Sequence, residues 1–195
     1  AKTWHEGEGT NYLLKSCDSI THGKYPNPIR LWEAEPYPIG NGRLAASVFH
    51  GNLRDRYSLN EVSFWSGGRN AGTINNKGDK GYDVSGPEVN DDGFGSYQPV
   101  GDLIVDFNAP VQSGFVRQIT LDKGIVESSA KRNGNYISSS AFCSYPNQVM
   151  VIRYESQKRK KLDLHFSFAT QRKQDITTTH NRELSLYSRL KNGME

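Results

Sequence analysis

Between Asn41 and Trp65 the chain places a carboxamide, a guanidinium, a second carboxamide, a carboxylate and an indole: Asn41, Arg43, Asn60, Glu61 and Trp65. Amides and a guanidinium donate hydrogen bonds, a carboxylate accepts them or carries a proton, and an indole offers an apolar plane with one N–H. Together they form a polar and aromatic set held at the two ends of the stretch. Glu61, with Asn60 beside it, is the strongest single candidate to touch a ligand. Each residue also has a framework reading. Gly40-Asn41-Gly42-Arg43 reads as a turn that needs positive φ at Gly40 or Gly42. It precedes a strand, so it has no helix N-terminus with which to bind an anion. Arg43 can pair with Glu61 across a hairpin, and Trp65 can be a buried or interdomain tryptophan.

Catalysis by the chain itself finds little support. An acid–base pair needs a second carboxylate at defined separation, and neither Glu33, Glu35 nor Asp102 can be placed against Glu61 from sequence. Ser66 has no neighbouring His–Asp partner. His50 lies within a strand pattern and reads as a packed histidine, and Trp32 as a core residue. Asp79, Asp83, Asp91 and Asp92 do not have the spacing of a calcium loop. No catalytic residue, metal or cofactor is assigned.

These residues are positioned by two alternating strands, Leu44 to Gly51 and Arg56 to Phe64, with a turn at Asn52 to Asp55. Strand alternation sends Asn60 and Glu61 to opposite faces. Further strands are read at 97–102, 103–107, 115–121, 125–131, 136–145, 149–154, 162–168 and 183–190, with a hairpin signal at Asn133-Gly134. Nine or ten short strands without helical periodicity predict an all-β antiparallel sandwich. Between them, residues 68–96 are Gly- and Asn-rich and read as a long surface loop. Asn192-Gly193 looks like a hairpin turn whose return strand is cut short, so a domain truncated at its C-terminal edge is expected.

Composition agrees with one domain over residues 1–195. The chain has ten Tyr, eight Phe, three Trp and nineteen Gly, a turn-rich and strand-favouring mixture. A net charge of +3 gives no basic face for nucleic acid. The basic run Lys158 to Lys161 reads as a solvated turn. No apolar run is long enough to span a membrane as a helix. Cys17 and Cys143 lack metal spacing, and pairing and two free thiols both remain open.

The motif PIGNGRLAASVFHG followed by LNEVSFWSGG resembles the N-terminal domain of glycoside hydrolase family 95, the α-1,2-L-fucosidases and related α-L-galactosidases. Tyr97-Gln-Pro-Val-Gly-Asp-Leu103, Arg117-Gln-Ile-Thr-Leu-Asp122 and Phe142-Cys-Ser-Tyr-Pro-Asn-Gln-Val149 match further family motifs in order. The resemblance implies a β-supersandwich that packs against an (α/α)6 catalytic barrel of the same parent polypeptide. It implies an inverting exo-glycosidase whose catalytic residues lie in that barrel, and a secreted or periplasmic setting. Asn41, Arg43, Asn60, Glu61 and Trp65 would then face the barrel or the rim of its sugar pocket. A stand-alone oligosaccharide-binding module and a structural interaction domain are the alternatives.

Overall fold

The computed structural model describes residues 11–14, 36–66, 97–157, 162–170, 172 and 175–190. Among these, every regular element is a strand: β1 Asn11–Leu14, β2 Tyr37–Gly40, β3 Leu44–Phe49, β4 Arg54–Glu61, β5 Gly101–Phe107, β6 Val111–Thr120, β7 Ile125–Arg132, β8 Asn135–Ser144, β9 Val149–Ser156, β10 Leu164–Ala169, β11 Ile176–His180 and β12 Glu183–Tyr187. One sheet runs β1-β6-β7-β8-β9 and a second runs β10-β5-β4-β3-β2, while β11 and β12 form a separate hairpin. The strand pairings are antiparallel. The expected antiparallel sandwich is the observed fold.

The core follows from alternation. Ile39, Ala46, Val48, Tyr57 and Val105 of the second sheet bury against Ile119, Val126 and Ala141 of the first. Met150, Ile152 and Tyr154 project inward from β9 onto this cluster, while Val149, Val151, Arg153 and Glu155 stay on its open face. Period-two patterning thus decides which face of each strand is dry.

Among the described residues twelve strands stand where nine or ten were read from sequence, and the differences have physical causes. Pro38 breaks the strand pattern around β2, yet β2 is the edge of its sheet, where a missing N–H is tolerated. β4 starts at Arg54, inside the expected turn, because Asp55 is a buried strand residue. At the β7–β8 hairpin both Asn133 (φ 46°) and Gly134 (φ 70°) are left-handed, the type I′ geometry that Asn-Gly signals. Residues 67–96, 158–161 and 191–195, together with Cys17, Trp32, Glu33 and Glu35, lie outside the described residues. So do the expected long loop, the basic turn and the truncated hairpin. Cys143 is a half-buried free thiol on β8.

Candidate functional site

The corner is built from the turns that end β2 and β4. Asn41 Oδ1 accepts from the amides of Arg43 (3.0 Å) and Leu44 (2.8 Å), an Asx turn that reverses the chain into β3. Gly42 supplies the positive φ, at 91°, while Gly40 remains within β2. The other half of the Asn41 amide reaches across the sandwich: Nδ2 donates to the Ser144 carbonyl at the end of β8, 2.8 Å away. Asn41 therefore ties the two sheets together and has spent its side chain on framework.

Arg43 and Glu61 pair across the β3–β4 ladder, Nε to Oε1, at 2.9 Å. Glu61 Oε2 accepts from the Ser63 amide (2.8 Å) and the Ser63 hydroxyl (2.5 Å). Burial pushes the Glu61 carboxyl up, but the Ser63 hydroxyl, the Arg43 guanidinium and the Ser63 amide more than offset it and hold it below the usual range. Glu61 is thus an ionised brace with both oxygens occupied. That arrangement can accept hydrogen bonds but holds no proton to give.

Asn60 stands on the other face of β4, opposite Ala45, and its side chain has no hydrogen-bond partner among the described residues. The structure brings Asn41, Arg43 and Glu61 together and turns Asn60 away from them. Trp65 follows a tight turn closed by Phe64 N to the Glu61 carbonyl at 3.1 Å. It forms an isolated antiparallel bridge with Tyr97, and the two rings meet edge to face, centroids 6.2 Å apart. Trp65 is 46% exposed and Tyr97 40%. Burial raises the Tyr97 phenol pKa; the Glu61 backbone opposes this and the Glu61 charge adds to it. Tyr97 therefore links the indole to the ion pair, a role that its motif did not signal. An exposed aromatic pair beside a fixed ion pair can stack on the apolar face of a sugar ring and hydrogen-bond its hydroxyls.

Ser66 is buried and accepts from Gln98 Nε2 at 3.2 Å, a structural contact. Asp102 accepts from Ser58 Oγ at 2.6 Å on the outer face of the sheet. Among the described residues, no group of three or more His, Cys, Asp or Glu could hold a metal ion.

A second polar group lies between the sheets, of which only His50 was expected from sequence. Asp55 Oδ1 accepts from the Gly51 amide at 3.2 Å and Oδ2 from the Tyr154 hydroxyl at 2.8 Å. Tyr154 and Tyr57 share a hydroxyl contact of 3.0 Å. His50 Nε2 meets Ser139 Oγ at 3.1 Å, while its Nδ1 has no hydrogen-bond partner among the described residues. Arg117 and Arg132 are buried beside them. The Arg117 guanidinium stacks 4.2 Å from the Tyr37 ring centroid, and Arg132 donates to the carbonyls of Gly51, Asn52 and Ala109. Burial raises Asp55 to about 7 against the Tyr154, Arg132, Gly51 and Arg117 contributions. Burial, with Arg117 and Arg132, lowers His50 to about 3. His50 is neutral here, as the packed histidine expected from sequence. The signal for the rest was thin: alternation around Asp55 and Arg117 puts both on inward positions, but their partners are distant in sequence.

The matches to known proteins fit this geometry. The family model for the glycosyl hydrolase family 65 N-terminal domain matches residues 24–83 and 75–195. The chain is 28% identical over 162 residues to probable alpha-fucosidase A of Aspergillus niger, covering 73% of this chain and 20% of that protein. It is 27% identical over 163 residues to alpha-L-fucosidase 2 of Arabidopsis thaliana, covering 74% of this chain and 19% of that protein. The chain therefore spans about a fifth of the length of these curated relatives. The resemblance read from the motifs stands: this chain belongs to the family of glycosyl hydrolase family 65 N-terminal domains, the model that also serves the family 95 fucosidases.

Proposed function

We propose that this chain is the non-catalytic N-terminal domain of an inverting, α-L-fucosidase-like exo-glycosidase acting on α-L-fucosides or related α-L-galactosides. Its corner of Asn41, Arg43, Glu61, Trp65 and Tyr97 borders the sugar pocket of a helical catalytic barrel in the same polypeptide. The observation that carries this reading is the state of Glu61. Its oxygens are held by Arg43 and Ser63 and its pKa is lowered. An inverting glycosidase needs a carboxylic acid to protonate the leaving group, and the corner supplies none.

The test is kinetic, in the full-length polypeptide, with an aryl α-L-fucoside or α-L-galactoside as substrate. Glu61→Gln keeps kcat within roughly ten-fold, because removing a general acid costs about 10²–10⁴-fold. A loss of about a thousand-fold with unchanged thermal stability would place the catalytic acid here and sink the proposal. Trp65→Ala raises KM more than it lowers kcat.

A second reading, a carbohydrate-binding module, draws on the exposed Trp65–Tyr97 pair. Calorimetric titration of the 195-residue chain with fucosylated and galactosylated oligosaccharides separates the two. Millimolar or tighter binding that Trp65→Ala abolishes favours the module.

A further inference from the structure

The turn between β8 and β9 carries a motif, Ser144-Tyr145-Pro146-Asn147-Gln148, that the corner does not use. Its backbone is fixed by several contacts. Asn147 donates from Nδ2 to Ser144 Oγ at 3.1 Å, and Gln148 donates from Nε2 to the Tyr145 carbonyl at 2.6 Å. Gln148 sits at φ 52°, and the Ser144 carbonyl is held by Asn41. On this fixed turn Tyr145 is 71% exposed, the highest value among the exposed large hydrophobic side chains of the described residues.

A large aromatic ring held outward by an ordered backbone has already met most of the ordering cost of binding. Such a ring is the kind of residue that anchors interfaces. It does not stand alone. The outer face of β9 is apolar at this end, with Val149 and Val151 exposed, and charged at the other, where Arg153 pairs with Glu155 at 2.7 Å. Leu121, in the β6–β7 turn, is exposed at the same end. The Asn41–Ser144 bond makes this end continuous with Val62, Trp65 and Tyr97.

We propose that this whole end of the sandwich, from Trp65 across to Tyr145, is one docking surface for another domain of the same polypeptide. That domain presents an apolar pocket to the Tyr145 ring and a hydrogen-bond partner to its hydroxyl. The inference rests on the reading of the chain as an N-terminal domain and extends its contact surface from one sheet to both. What selects this occupant is length: the curated relatives are about five times as long as the stretch of them that this chain matches. An end-cap spanning two sheets is of the scale of an interdomain contact, roughly 600–1,500 Å².

Hydroxyl-radical footprinting of the full-length polypeptide, read residue by residue by mass spectrometry, tests it without a mutation. Tyr136, at the far end of β8 and 43% exposed, is the internal reference. Docking makes Tyr145 react several-fold more slowly than Tyr136, reversing their order in the domain; a Tyr145 that reacts faster overturns the proposal. Protected Trp65 and Tyr97 with an open Tyr145 overturn this inference and leave the domain reading intact, whereas all three open overturn both. Protection that needs added oligosaccharide, or that vanishes on dilution, assigns the surface to a sugar or to a second copy and overturns it as well. In Tyr145→Ala, which keeps the turn's backbone bonds, Trp65 reacts at least about two-fold faster if one surface covers both; an unchanged Trp65 overturns the single surface.

Discussion

Tyr154 donates its phenol proton to Asp55 Oδ2 at 2.8 Å, from one sheet to the other. Beneath it, His50 faces Ser139 and is neutral. The two titrating groups act oppositely on stability. Asp55 is raised from 3.8 to about 7, so the folded state holds a proton that the unfolded chain releases, and stability falls as pH rises through that window. His50 is lowered from 6.5 to about 3, so the unfolded chain holds the extra proton, and stability rises with pH through that window. Between about pH 4 and 6.5 their contributions nearly cancel. Asp55→Asn leaves the His50 slope alone, and stability then climbs with pH across this window. His50→Gln leaves the opposite slope. Urea midpoints across this range check both, and variant profiles parallel to the wild type would refute the assignment.

Arg172 is a buried cation held by several partners. It donates to the carbonyls of Pro99 (2.6 Å) and Val100 (2.7 Å), to Asp175 and to Ser188, and packs over Phe64. Its side chain is 2% exposed and that of Asp175 is not exposed. Arg172→Ala leaves a buried carboxylate and two orphaned carbonyls, at a cost of about 3–5 kcal/mol. Arg172→Lys recovers only part of this, since an ammonium cannot fork across both carbonyls. Denaturant unfolding gives the ranking. Equal stability of Ala and Lys variants would contradict it.

Two glycines separate backbone strain from crowding. Gly134 has φ 70° and a Cβ there would meet nothing within 4 Å, so Gly134→Ala costs about 1 kcal/mol through conformation alone. Gly114 has φ 64°, and its Cβ would press on the Tyr136 ring at 3.2 Å. Gly114→Ala therefore costs at least as much as Gly134→Ala, because the 43%-exposed Tyr136 ring must also shift by a few tenths of an ångström to make room. Thermal unfolding of the pair decides it.

The Arg43–Glu61 bridge should matter little to folding. The Arg43 side chain is 61% exposed, and exposed pairs contribute about 0–1 kcal/mol. Arg43→Ala shifts the urea midpoint slightly and less at high salt. A shift as large as that of Arg172→Ala would mean that the corner is part of the folding core.

The sequence carried the sandwich because alternation and turn chemistry are local. Asn133-Gly134 announces its hairpin in two residues, and the inward set of β9 can be counted by twos. It carried the Arg43–Glu61 pair for the same reason, since they flank one hairpin. The interior cluster was not legible in that way. Asp55 sits beside Asn52 in what reads as a turn, and its partner Tyr154 is 99 positions away. A buried charge breaks the binary pattern, and only the assembled sheets show what compensates it. Tyr97 was hidden likewise, because its value comes from meeting Trp65 across a sequence gap.

That meeting has a consequence for engineering. Trp65 and Tyr97, 32 positions apart in sequence, are held together by a bridge and a ring contact. When the ends of a segment are clamped, doubling its length adds only about 0.6 kcal/mol of closure entropy. A connection of another length between them therefore closes at nearly the same entropic cost, with Ser66, buried against Gln98, retained as part of the clamp.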